Sequence, residues 1–337
     1  MRKLLQKIFR PFFIRIASRF ESSPVREDVF KSLSGLIDSI NTKNSNCGIV
    51  VDVNIDKDKF IIFSDQHKGN KDHGDDFKDN EANYNAALKY YNGQQFNYVN
   101  LGDAEELWKY KVSQVIPKYK ESLQAEACFQ AGKRYYRTFG NHDILWKNQF
   151  DVLLNLKSVF QMPMPVYEGI VLRSSVNGTL LEIFLTHGHQ GDKMSDNNAF
   201  STWIVAHIWA PLQRFLSINI NTPANDIHLR DKHNHLMYEW SSQQKNIFLV
   251  TGHTHKPVFA SGKYVSSELH TIKTEASSTD LKPTYFNTGC CCYSDGDITG
   301  LEIADGSIRL IKWHVDNAIP VRVVLEEKPI IELMNDL

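Results

Sequence analysis

The stretch Phe60-Ile61-Ile62-Phe63-Ser64-Asp65-Gln66-His67 sets the pattern of the whole chain: four apolar residues stop at a carboxylate and an imidazole two positions apart. A short apolar run bounded by polar residues reads as a buried strand with a loop at its carboxyl end. The unit recurs. Tyr98-Val99-Asn100-Leu101 leads into Gly102-Asp103-Ala104-Glu105-Glu106, and residues 135–139 lead into Gly140-Asn141-His142-Asp143. Residues 180–185 lead into Thr186-His187-Gly188-His189, and residues 247–250 into Gly252-His253-Thr254-His255. Side chains on loops just past successive strand ends can converge on one point, which is where open α/β sheets build their sites. Imidazole, carboxylate and amide oxygen together suit borderline or hard divalent ions rather than a thiolate-loving metal.

Outward from these loops, residues 80–91, 113–131 and 148–160 read as helices, and their alternation with strands implies βαβ units. The second half is different. Residues 167–173 and 180–186 flank Asn177-Gly178, while 301–303 and 307–313 flank Asp305-Gly306, both pairs that favour hairpin turns. The expected fold class is α/β with α+β character: two mixed β-sheets packed face to face as a sandwich flanked by helices, over residues 49–320. Residues 192–245, between the fourth and fifth loops, lack strand character. They read as a helical insertion serving as a lid or substrate cap, with 225–244 a polar helix. The tryptophans of the insertion equally suit a local core.

A chain of 337 residues with 42% hydrophobic content can bury a substantial core. A formal net charge of −1, with no basic, aromatic-interleaved stripe, argues against a nucleic-acid partner. Five cysteines, with Cys290, Cys291 and Cys292 adjacent, show neither disulfide nor CxxC spacing. They read as reduced thiols packed in a strand or turn of a cytoplasmic protein. The first 22 residues stand apart as a basic amphipathic segment: Arg2, Lys3, Lys7, Arg10, Arg15 and Arg19 precede the first acid, Glu21, and apolar pairs recur at helical spacing. Residues 1–20 thus suit peripheral contact with an anionic membrane surface, or docking on the protein's own body. Charges interrupt every apolar stretch, against a signal peptide, and a spanning helix would need about 20 predominantly apolar residues.

The ordered set D-x-H, G-D-x-x-E, G-N-H-D, H-G-H and G-H-T-H, spread over residues 59–300, resembles the calcineurin-like metallophosphoesterase superfamily. The resemblance implies a phosphoester hydrolase that depends on two divalent metal ions, manganese first among Mn2+, Fe2+, Mg2+ and Zn2+. It implies that Asp103 bridges the ions, that Asp65, His67 and His255 complete one shell, and that Asn141, His187 and His253 complete the other. Two ions about 3.5–4 Å apart can clamp the attacking and leaving oxygens of an in-line displacement. A shared hydroxide would attack phosphorus, with His142 stabilising transition-state charge or protonating the leaving oxygen. Glu106 would orient His142, at a position where relatives more usually carry aspartate. Asp143 reads as a hydrogen-bond acceptor in its turn, and His189 as either a neighbour of the ligands or an exposed residue. Lys68, His73, Arg134 and Arg137 are basic residues that could grip the substrate, with solvated surface charge the default reading for all four.

The expected substrate is a small-molecule or lipid-linked phosphoester. The helical insertion and basic amphipathic segment are similar to those of UDP-2,3-diacylglucosamine pyrophosphohydrolases, which work at the inner-membrane surface. Those enzymes typically carry arginine where this chain has His142, and an acid where it has His189. The same residues also suit a phosphomonoesterase of proteins or small molecules, and the fold also suits a non-catalytic scaffold. Filled ligand positions favour an enzyme.

Overall fold

The computed structural model describes residues 24–42, 47–191, 227–261 and 282–335. The basic segment expected at 1–22 and most of the insertion, residues 192–226, lie outside the described residues.

Two sheets form the frame. The six-stranded sheet has the order β11-β10-β9-β2-β3-β4, and the five-stranded sheet the order β1-β5-β6-β7-β8. In the first, β2 (Phe60–Phe63), β3 (Asn97–Leu101) and β4 (Tyr135–Thr138) run parallel. The antiparallel strands β9 (Ile298–Ala304), β10 (Ser307–Asp316) and β11 (Ile319–Pro329) join them through the β2–β9 pair, carrying the sheet beyond residue 320. In the second, β1 (Gly48–Asp52) pairs in parallel with β5 (Gly169–Val176), and β5 pairs antiparallel with β6 (Thr179–Thr186). Strands β7 (Ile247–Thr251) and β8 (Tyr285–Asn287) then add in parallel. Both sheets are mixed, as the sequence implied.

Side-chain alternation along each strand feeds three layers of core. Phe60 and Ile62 of β2 join Val99, Leu101, Ile170, Ile183, Leu185, Phe248 and Val250 between the sheets. Ile61 and Phe63 point the other way, into a cluster with Tyr84, Leu88, Leu123, Phe129 and Val152. That cluster holds the inner faces of α2 (Glu81–Gly93), α4 (Lys120–Ala131) and α5 (Gln149–Phe160). On the opposite side, Val171, Phe184 and Leu249 pack against α1 (Arg26–Asn41) and α6 (Ile227–Ser242) through Val29, Leu33, Met237 and Trp240. All four β2 side chains are buried, each worth about 1.5–3 kcal/mol over exposure, which fixes β2 as the central strand.

Local chemistry sets several boundaries. The helix expected at 113–131 is two: α3 (Val112–Lys118) contains Pro117, which lacks an N–H, and the chain turns at Tyr119 before α4. Asn148 caps α5 by accepting a hydrogen bond from Phe150 N at 3.0 Å. Asn177-Gly178 and Asp305-Gly306 adopt positive φ throughout, as two-residue hairpins require. A third such turn, Asn317-Ala318 (φ 47° and 65°), joins β10 to β11 without a glycine to announce it. A final short helix, α7 (Ile330–Asn335), buries Ile330 and Leu333.

Candidate metal centre

The carboxyl ends of β2, β3, β4, β6 and β7 meet at one edge of the sandwich, and their loops bring the expected side chains together. Asp65 Oδ1 lies 3.2 Å from His255 Nε2 and 3.7 Å from His67 Nε2. Asp103 Oδ2 lies 3.7 Å from His67 Nε2 and 3.1 Å from His187 Nε2, so this one carboxylate faces imidazoles from two different loops. Ligand atoms of Asp103, His187 and His253 all lie within 4.8 Å of one another, as do those of His67, Asp103 and His142. Asn141 is buried on the same loop as His142. Asp65, His67, Asp103, His187, His253, His255 and His142 therefore gather at one place, with buried Asn141 next to His142 in the chain.

Backbone conformation aims these side chains. Asp65, His67, Asp103, His253 and His255 all have φ between 50° and 67°, the left-handed region that non-glycine residues seldom occupy. Each such residue costs of order 1 kcal/mol or more and persists only where the surroundings impose it. Here backbone donors impose it: His253 N donates to Asp65 Oδ2 at 3.0 Å, and His142 N to Asp103 Oδ1 at 2.8 Å. Gly140 lets its loop approach so closely that an added Cβ would run into Asp103 Oδ1. Asp143 works from beneath as the turn acceptor the sequence implied, taking N–H groups of Asp103 (3.2 Å), Ala104 (3.0 Å) and Gly140 (2.6 Å).

Below Asp143 the expectation of solvated charge fails for two residues. Arg137 is fully buried, ion-paired with Glu105 and, at 3.3 Å, with Asp143. Lys68 is also fully buried, 2.8 Å from Glu126, whose oxygens further accept from Tyr84 (2.9 Å) and Tyr135 (2.6 Å). Both charges are tolerated in the core only because a carboxylate from a distant part of the chain meets them. Arg134 is half-buried and donates to Asn92 Oδ1 at 2.6 Å, while His73 is exposed.

The charge pattern is that of ionised carboxylates beside imidazoles that hold their protons. Burial opposes ionisation of Asp65, yet His255 and His187 keep it well below the usual carboxylate range. Burial also opposes ionisation of Asp103, which His187 and His142 hold low. In return His187, although burial pulls it down, is pushed up to about 9 by Asp103. His255 rises against burial to about 10, through Cys290 and Asp65. His189 is buried beside His187 rather than exposed, and burial, then His187, lowers it to about 3.

His142 Nδ1 meets Glu106 Oε1 at 2.9 Å, so the pairing holds with glutamate in place of aspartate. Glu106 Oε2 lies 3.5 Å from His67 Nδ1 and 3.4 Å from Lys109 Nζ. The sequence reading missed three neighbours. Trp108 stacks on the His142 ring at 3.9 Å and 22°; its place two residues after Glu106 was the available signal. His233 of α6 lies buried 5.1 Å from the His253 ring, its spacing lost in a polar helix. Cys292, read as packing, sits 3.6 Å from His255 Nδ1.

The family model described as calcineurin-like phosphoesterase matches residues 58–257, more than half of the chain. The chain belongs to this family. No curated protein matches it. Among solved structures, this calcineurin-like phosphoesterase is similar to Vacuolar Protein Sorting 29 from Cryptosporidium parvum, at 13% identity over 81% of this chain and 98% of that one, TM-score 0.36. A dimetal phosphatase from Danio rerio matches at 7% identity over 80% and 99% of the two chains, TM-score 0.38. GAP50, the anchor in the inner membrane complex of Plasmodium, matches at 12% identity over 81% and 88%, TM-score 0.41.

The donor set fits the divalent metal that a calcineurin-like phosphoesterase implies. Asn141 Oδ1 and His253 Nε2 are buried without a hydrogen-bond partner among the described residues. His187 Nε2 stands beside Asp103 Oδ2 yet makes no well-aligned hydrogen bond. Buried polar atoms are rarely left unmet, and several orphaned acceptors around two buried carboxylates are what a cation would satisfy.

Proposed function

We propose that the chain hydrolyses phosphoesters at a dinuclear centre, with Asp103 shared between two divalent ions. Asp65, His67 and His255 would hold one ion and Asn141, His187 and His253 the other. The observation that carries the reading is the single cluster in which Asp103 faces His67 from one loop and His187 from another, beside the His142–Glu106 pair. Bound divalent ions would supply Lewis-acid charge at the phosphoryl group and a water acidified toward neutrality.

The remaining work falls to the chain. Glu106 holds the Nδ1 proton of His142, which turns Nε2 toward the cluster side of the ring. When both nitrogens carry protons, Nε2–H can donate to the leaving oxygen or to developing charge on phosphorus. Trp108 covers one face of that ring and fixes its plane. Asn141 brings an oxygen without charge, which keeps the cluster from repelling an anionic substrate.

Turnover of p-nitrophenyl phosphate or bis-p-nitrophenyl phosphate with manganese, abolished by a chelator, is the expected result. Absence of turnover with any divalent metal would leave the scaffold reading standing. In the same assay His142→Ala should keep its metal and lose about 10²–10⁴ in rate, and unchanged turnover would remove His142 from the reaction.

One observation favours a lipid-linked substrate at a membrane surface as the second reading. Phe150 (67% exposed), Leu153 and Leu154 (70% exposed) share one face of α5, and exposed Leu145 lies just past the His142 loop. No helix among the described residues is long and apolar enough to cross a membrane. Co-sedimentation with anionic liposomes tests this reading: removing residues 1–20, or Phe150→Ser with Leu154→Ser, should reduce pelleting. Equal pelleting of all forms would refute it.

A further inference from the structure

Cys292 sits beside His255, an imidazole with a neighbour at each nitrogen, and its sulfur lies within 4.8 Å of ligand atoms of both His67 and His255. His255 Nε2 faces inward, 3.2 Å from Asp65 Oδ1 and 3.0 Å from His67 Nε2. Its Nδ1 faces the opposite way, 3.6 Å from Cys292 Sγ. Metal-binding histidines nearly always give their other N–H to an acceptor that fixes tautomer and ring orientation. The Cys292 sulfur occupies that place, with the buried Cys290 thiol beside both it and the ring.

Its position is built rather than incidental, because the residues on either side are tied to the centre. Cys291 N donates to the carbonyl of Asp65 at 3.2 Å, and Tyr293 OH donates to the carbonyl of His255 at 3.1 Å. One short segment after β8 thus holds the backbone of two expected ligands and the ring of one. Cys290 and Cys291 are buried, whereas Cys292 is only half-buried.

We propose that Cys292 is the positioning residue that fixes His255 as a metal ligand, and that its thiol is a modification site through which electrophiles loosen the metal. The proposal rests on the reading of Asp65, His67 and His255 as ligands. Alkylation by iodoacetamide forms an S–C bond, releases iodide, and passes the thiol proton to buffer. The thioether left behind is bulkier and displaces the ring it abuts, so His255 loses its fixed orientation.

The test compares Mn2+ dissociation constants of the full chain, Cys292→Ala and Cys292→Ser, measured by competition with a chromophoric chelator, with far-ultraviolet circular dichroism confirming the fold. Cys292→Ala should bind about 10–100-fold more weakly, whereas Cys292→Ser, whose hydroxyl can still accept, should be rescued to near the natural affinity. Iodoacetamide should weaken the natural protein like the alanine variant and leave Cys292→Ser unaffected, although exposed Cys128 reacts in both. Natural affinity in Cys292→Ala would overturn the proposal. So would a sulfur-to-cobalt charge-transfer band in the Co2+-loaded protein, which would put the sulfur on the ion itself. Should the natural protein bind no divalent ion at all, the reading of the centre fails, and this proposal with it.

Discussion

Replacing Glu106 should damage rate and metal affinity separately, because its two oxygens serve different partners. Oε1 meets His142 Nδ1 at 2.9 Å, while Oε2 lies 3.5 Å from His67 Nδ1 and 3.4 Å from Lys109 Nζ. Every one of these partners can bring a proton, so a carboxylate suits all three and an amide cannot. Whichever way the amide turns in the Glu106→Gln variant, its NH2 group confronts either the His142 side or the His67 side. A hydrogen bond to a charged group is worth about 1.5–3 kcal/mol, or roughly 10–150-fold in rate if the His142 contact is lost. The His67 contact supports a metal ligand from outside, and losing such support costs about 10–100-fold in metal affinity. Glu106→Ala should show both losses. Steady-state kinetics across a manganese titration separates them: saturating metal should restore the affinity part and leave the turnover deficit. Full recovery of Glu106→Ala at high metal would show that Glu106 does nothing for His142, and undiminished affinity would remove its support of His67.

Asp103→Ala should empty the centre, since one carboxylate faces imidazoles of both halves; metal analysis finding the natural content would refute the shared role. Metal affinity should rise with pH. His187 (about 9) and His255 (about 10) keep protons above the ordinary value of 6.5, and these must leave before a cation enters. Affinity should climb by up to about tenfold per pH unit for each proton released, and a flat profile from isothermal titration would sink the idea. By the same sign, the metal-free chain gains stability from the two raised histidines below pH 6.5 and loses it as pH climbs through 9 toward 10. Lys68→Met should cost about 3–5 kcal/mol in urea unfolding by stranding Glu126, and Glu126→Gln in that background should return much of it. A single-variant loss under about 1 kcal/mol would mean the buried pair is not what holds that region.

The loops were legible because a strand that stops at a ligand shows in a single run of sequence. Asp65, Asp103, Asn141, His187, His253 and His255 each follow such a run, and the structure brings their loops to one edge. The sheets were legible where turn chemistry was explicit, as at Asn177-Gly178, and not at Asn317-Ala318, where alanine takes a positive φ that its identity does not advertise. Lys68 and Arg137 looked solvated because burial of a charge depends on its partner, and Glu126 lies 58 residues beyond Lys68. Cys292 and His233 were hidden for a similar reason: each lies far along the chain from the histidine it meets, Cys292 37 residues beyond His255.

The left-handed backbone at Asp65, His67, Asp103, His253 and His255 places chemistry and robustness in opposition. Glycine would occupy any of these positions without the steric penalty that a Cβ brings. A thermostability screen blind to turnover should therefore accept glycine at His67 and His255 before Asp65 and Asp103, whose carboxylates also take buried backbone N–H groups.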